Sequence, residues 1–226
     1  MERYNIFQLV HKGLRASLYK TALCLQQTDF TAADEKEEAL NRVREVIMLF
    51  EGQVQKAKAF ILPAVQEYEP VMASRFSDEH SKIIQLGNPL KKGITKSEAA
   101  KSILENLVSG RELSELFIQF MISHLNQMSK EETLINNIFW KYYSDNDIKQ
   151  IWQRISQHTP PWIQEFYASW MMRGINNMEA VNWMKAVERI MPPIVFESLL
   201  QKAEKELPEE RFQKVTSSLS EGKLVA

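Results

Sequence analysis

The chain has 226 residues, a formal net charge of −1 at pH 7, four histidines and one cysteine. The nearly balanced charge, without a Lys/Arg-rich run, argues against nucleic acid or an anionic membrane as a partner. The single cysteine, Cys24, excludes an internal disulfide, and no apolar run approaches the ~20 residues that span a membrane. The N-terminal stretch lacks the features of a signal peptide, so we expect a cytoplasmic protein.

The composition predicts an all-α fold, because only seven glycines separate long stretches of helix-forming residues. Apolar residues recur at i, i+3, i+4 and i+7, the spacing of amphipathic helices. The four predicted helices run from Tyr4 to Leu25, from Asp34 to Tyr68, from Pro70 to Val108, and from Ser109 to about residue 143. Pro63 should kink or break the second helix, because proline lacks a backbone donor. Residues 1–143 are therefore predicted to form an up-down four-helix bundle.

The remainder of the chain reads as shorter helices separated by prolines and capping residues. Residues 144–216 are predicted to pack on the bundle, and residues 217–226 to form a loose tail. The C-terminal half is rich in Trp and Met, residue types that fill cores and also form binding surfaces. It is thus a candidate surface for a protein partner or for homo-oligomerisation.

Three of the histidines lie within apolar stripes, each on a different predicted helix: His11, His80 and His124. Glu131 follows His124 two turns later on the same face of the fourth helix. Polar groups on a core-facing stripe are costly unless they are hydrogen-bonded or bind a metal. Helix bundles hold iron, manganese or zinc with such side chains, whereas the alternative is a set of hydrogen-bonded core histidines.

Several stretches resemble the haemerythrin-like (HHE cation-binding) family: IFQLVHKGLR, ILPAVQEYEPVMASRFSDEH, HLNQMSKEETLI and, in the second half, MMRGINNMEAVNWMKAVERIMPP. Bacterial members of that family join a four-helix bundle to a helical C-terminal extension. The resemblance implies a di-iron centre that binds or senses oxygen or handles iron. It matches His11, His80, His124 and Glu131 to the ligands of the first, third and fourth helices.

The second helix departs from the family pattern of a His followed four residues later by a Glu. The corresponding positions are Gln53 and Ala57, with Lys58 and Lys56 beside them. On the fourth helix, Gln127 stands where the family often has a further His. These losses make a complete di-iron centre a poor expectation.

Two interpretations are compatible with the incomplete ligand set. In the first, the site is degenerate and holds no metal, a lysine of the second helix (Lys56 or Lys58) approaches Glu131, and the protein binds a partner without catalysis. In the second, His11, His80, His124 and Glu131 hold one Fe, Zn or Mn ion in oxygen or redox sensing or in iron handling. The sequence favours the first interpretation, in which the protein is not an enzyme.

Overall fold

The structure is a computed structural model that describes residues 3–221. Those residues form twelve α-helices, two π-helical segments and no strand, which confirms the all-α prediction. No helix within this range is long and apolar enough to cross a membrane. The chain divides into two compact units, and helix α1 (Gln8–Gln27) contributes to both.

The first unit contains residues 3–7 and Ser17–His158, and the second contains Gln8–Ala16 and the described residues from Thr159 onwards. The helices of the first unit beyond α1 are α2 (Ala33–Lys56), α3 (Leu62–Tyr68), α4 (Pro70–Gln85), α5 (Gly87–Ala99), α6 (Ile103–Lys130), α7 (Asn136–Tyr142) and α8 (Asp145–Gln157). Within this unit α2 packs against α4 and α5, α5 packs against α6, and α3 packs against α4 and α7.

Where the sequence predicts a kink or break at Pro63, the structure has a π-helical segment, Ala57–Ile61, that joins α2 to α3. Proline has no N–H, and its ring crowds the carbonyl of the residue four positions earlier. The widened turn begins just ahead of that position, and the Leu62 N–H bonds the carbonyl of Ala57, five residues back. The chain therefore remains helical from Ala33 to Tyr68 instead of breaking.

The fourth long helix begins earlier than predicted, at Ile103 and not at Ser109. A capping box holds its start: Ser102 Oγ accepts from the Glu105 N–H, and Glu105 accepts from the Ser102 N–H. Ser109 and Gly110 lie inside α6 and are buried. A second π-helical segment, Glu131–Ile135, joins α6 to α7.

The core of the first unit includes α8, which the sequence placed beyond the bundle. Ile148 and Ile151 of α8 lie in one apolar cluster with Phe76 and Phe139. A capping box of Ser144 and Asp147 starts α8. The observed division of the chain therefore follows His158, whereas the predicted boundary follows residue 143.

The second unit contains α9 (Pro161–Gly174), α10 (Asn177–Ile190), α11 (Pro193–Glu206) and α12 (Glu209–Glu221). Its core is built from Met172, Met184, Leu199 and Val215, so much of the Trp/Met-rich sequence is interior. Residues 217–221, predicted to belong to a loose tail, are in α12. The remainder of that predicted tail, residues 222–226, lies outside the described residues.

Two glycines allow α1 and α9 to approach closely within the second unit. A Cβ atom on Gly13 would lie 2.7 Å from the backbone nitrogen of Met171, and one on Gly174 would meet the backbone of Lys12. Neither glycine has a positive φ, so each is needed for space and not for an unusual backbone conformation. Backbone atoms cannot rotate away as a side chain can.

We expect Gly13→Ala to destabilise the protein by about 2 kcal/mol, since overpacking typically costs about 1–3 kcal/mol. Gly93→Ala is the matched control, because its Cβ would meet only the ends of two flexible side chains, Leu113 at 3.1 Å and Leu116 at 3.3 Å. Helix propensity favours alanine there by about 1 kcal/mol, so this variant should be neutral or stabilised. Chemical denaturation of both variants measures the difference, and equal stabilities would contradict the close approach.

Candidate functional site

Three buried polar residues of the first unit meet where α6 ends. Glu131 opens the second π-helical segment and is 4% exposed. Its Oε1 lies 2.6 Å from Nε2 of His80 on α4. Gln127, one turn earlier on α6, donates its Nε2 hydrogen to the same oxygen over 3.1 Å. These three side chains form a hydrogen-bonded cluster, hereafter the His80–Glu131–Gln127 cluster.

The proton of His80 can be placed from the surroundings of its ring. The side chain is fully buried, and Nδ1 has no hydrogen-bond partner among the described residues. A proton on Nδ1 would be an unpaired buried donor, at a cost of about 1–3 kcal/mol. The proton therefore lies on Nε2, which donates it to Glu131.

His124 lies between two aromatic rings and outside the hydrogen bonds of the cluster. The ring centroids of Phe50 and Phe120 are each 4.2 Å from that of His124. Burial is the main cause that lowers the pKa of His124, to about 3; Glu131 opposes this shift and His80 adds to it. The cavity beside this imidazole measures only about 10 Å³, room for no more than one water molecule.

The second-helix positions that the resemblance marks as lost ligands carry no metal donor into the cluster. Ala57 is buried at the start of the first π-helical segment, and Gln53 is half-buried one turn earlier. Lys58 donates from its Nζ to Ser81 Oγ on α4, over 2.8 Å. Lys56 is half-buried, and burial lowers its pKa to about 8.

His11, the predicted ligand of the first helix, is fully buried. It lies on the part of α1 that belongs to the second unit, whereas the other three predicted ligands belong to the first. Its participation in a common site with them therefore stays a prediction.

The first-unit residues do not fit the dinuclear centre that the resemblance implies. A nitrogen and an oxygen that share a metal ion each lie about 2.0–2.2 Å from it, with the metal between them. Here the His80 nitrogen and the Glu131 oxygen are hydrogen-bonded directly to each other, and the Gln127 amide donates a second hydrogen bond to the same oxygen. Among the described side chains, no group of three or more His, Cys, Asp or Glu is placed to hold a metal ion.

Sequence reasoning missed the two aromatic partners of His124. Phe120 lies one turn before His124 on α6, so helical spacing could have identified it. Phe50 comes from α2, and nothing local in the sequence connects it to His124. The sequence did single out Gln127, but as the residue that replaces a family histidine, whereas its amide donates to the carboxylate of Glu131.

Comparison with known proteins gives no relative on which to base an assignment: no protein-family model, curated protein or solved structure matches the chain.

Proposed function

We propose that the protein is a haemerythrin-like four-helix bundle protein whose metal centre has been replaced by the His80–Glu131–Gln127 cluster. It acts by binding a partner and not by catalysis. The bundle would consist of α1, α2 with α3, α4 with α5, and α6 with α7. In such a bundle of four long helical segments, with α8 in the same core, the polar cluster would lie near the middle of the bundle.

One observation carries the proposal: two nitrogen donors converge on a single oxygen of Glu131. Their protons occupy the lone pairs of that oxygen, and a metal bound between His80 and Glu131 would have to break the hydrogen bond that joins them. A carboxylate satisfied in this way is stable in a buried position without a cation. The cluster therefore works as a structural element that fixes α4 against α6.

Burial also favours binding over catalysis. A catalytic group must reach its substrate, but His80 is fully buried and Glu131 is 4% exposed. Small-molecule sites typically occupy about 300–1,000 Å³, far more than the cavity beside His124. The outer surface of the helices is consequently where the protein would act.

Metal analysis tests this proposal. Protein purified without chelator should contain much less than one Fe, Zn or Mn ion per chain, because a metal bound between His80 and Glu131 would have to break their hydrogen bond. Aerobic loading with ferrous iron should produce no charge-transfer absorption. His80→Ala and Lys58→Ala, the latter altering only a lysine bonded to Ser81, serve as the matched pair.

One equivalent of metal that disappears in His80→Ala but remains in Lys58→Ala would overturn the degenerate-site proposal. It would establish instead the single-metal protein in which His11, His80, His124 and Glu131 supply the ligands.

A further inference from the structure

The outer face of α6 exposes large apolar side chains along most of its length. Leu104 is 70% exposed, Val108 43%, Ile118 42% and Ile122 52%. Isolated exposed apolar residues are ordinary, but a row of them along one helix indicates a contact surface.

These residues follow the spacing of a coiled coil. The row consists of Leu104, Val108, Arg111, Glu115, Ile118 and Ile122, all exposed. Successive members are separated alternately by four and three residues, which keeps them on one side of a helix that packs on a neighbour. The row has two apolar residues at each end and two charged residues at its centre.

The two central charges form no ion pair with any described residue. Arg111 and Glu115 are one turn apart on the same helix, yet the ion pairs nearby involve Glu112 with Lys96 and not these two. With arginine ahead of glutamate, the order is also the less favourable one for pairing along a helix. Both charges are therefore available to another molecule.

The row is complementary to itself when two copies of α6 lie antiparallel. Leu104 then faces Ile122 of the second copy, Val108 faces Ile118, and Arg111 faces Glu115. The residue numbers of every facing pair add up to the same value, which is the condition for a two-fold axis between the helices. A parallel pair would instead place arginine on arginine and glutamate on glutamate, so the charges select the antiparallel arrangement.

We propose that this face of α6 is a homodimerisation surface, on which a second copy of the chain packs antiparallel about an axis between Arg111 and Glu115. The row spans about 27 Å of helix at 1.5 Å per residue. A contact of this length is at the small end of specific interfaces, so the dimer forms at micromolar concentrations and dissociates on dilution. The two central ion pairs fix the register, and the four apolar layers supply the attraction.

Charge exchange at the centre provides a sharp test. In Arg111→Glu all four central charges of a dimer are negative, and in Glu115→Arg all four are positive. Each variant alone should raise the dimer dissociation constant by about tenfold or more, because like charges face each other. An equimolar mixture of the two should form a heterodimer, since every glutamate then faces an arginine.

Sedimentation equilibrium of the full chain at several concentrations measures these constants, and circular dichroism verifies that the exposed substitutions preserve folding. Ile194→Glu is the control, because Ile194 is 69% exposed on α11 in the second unit. It should leave the dissociation constant unchanged.

Three outcomes would overturn the proposal: a wild-type chain that stays monomeric at the highest concentration, single charge variants that dimerise as well as wild type, or a mixture that stays monomeric. Loss of the dimer in Ile194→Glu alone would indicate that the interface lies in the C-terminal half, and this result would also overturn the proposal.

Discussion

Replacing Glu131 with leucine should lower the free energy of unfolding by about 3–5 kcal/mol, the cost of breaking a buried polar pair. The substitution removes the acceptor of both His80 Nε2 and Gln127 Nε2. Water cannot replace it, because His80 is fully buried and Gln127 is 5% exposed. Each unpaired buried donor costs about 1–3 kcal/mol, which accounts for the size of the expected loss.

Glu79→Gln is the matched control for this prediction. Glu79 precedes His80 on α4 and pairs with Lys130, the residue before Glu131, so it joins the same two helices. The Lys130 side chain is 44% exposed, and such surface pairs contribute about 0–1 kcal/mol. Urea denaturation at neutral pH should therefore separate the two variants clearly.

The double variant His80→Leu/Glu131→Leu distinguishes a hydrogen-bonded pair from simple loss of packing. Removing both partners leaves no unpaired imidazole, so the double variant should be more stable than the sum of the single losses predicts. The coupling for residues in one network is about 0.5–3 kcal/mol. A Glu131→Leu variant within about 1 kcal/mol of wild type would show that the cluster contributes little to stability.

Helical periodicity was sufficient to place three of the candidate site residues in the interior. His80, His124 and Glu131 were assigned to core-facing stripes, and all three are buried. A regular period could not foresee the π-helical segment at Glu131, which adds a residue to one turn and rotates the faces of the helix after it. Asn136 and Phe139, which do not continue the i, i+3, i+4, i+7 spacing from His124 and Glu131, are consequently buried.

The start of α6 shows why local signals are insufficient. Three similar patterns occur in one stretch, beginning at Thr95, Ser102 and Ser109, and each has a glutamate three residues later. Only the middle one caps a helix. Which of the three patterns caps the helix depends on packing: Gly110 lies against the ring of Phe30, with which a Cβ would collide. Phe30 is about 80 residues away in the sequence, so no local pattern indicates this contact.

Domain organisation was equally beyond local reasoning. The close approach of α1 to α9 depends on Gly13 and Gly174, which are far apart in the sequence. Neither glycine takes a positive φ, so no local backbone requirement reveals that each one is needed for close packing. The assignment of Gln8–Ala16 to the second unit follows from such long-range packing.

The second large effect is a loss of stability in acid that originates from His124. Burial lowers the pKa of this imidazole in the folded protein to about 3, whereas an unfolded histidine titrates near 6.5. Below about pH 6.5 the unfolded chain takes up a proton that the folded protein refuses, so acid favours unfolding. The stabilisation is complete above the unfolded pKa and is lost progressively as the pH falls towards the folded one.

The expected size follows from the two pKa values. At 1.36 kcal/mol per pKa unit, the contribution of His124 falls by about 2 kcal/mol between neutral pH and about pH 5, and by about 4 kcal/mol by pH 3. Glu131 and His80 alter the pKa of His124 in opposite directions, so neither reverses the dominant effect of burial. Between Phe50 and Phe120, a charged imidazole would lose its hydration without gaining a comparable partner.

His124→Leu isolates this effect from the other titrating groups. Lowering the pH from neutral to about 5 should destabilise wild type by about 2 kcal/mol more than it destabilises the variant, because leucine has no proton to take up. Urea midpoints of the two proteins across this range give the difference directly, and the imidazole resonances of His124 should not titrate over the same interval. A difference that stays constant with pH would mean that the folded protein protonates His124 as readily as the unfolded chain does, in conflict with its burial between two phenylalanine rings.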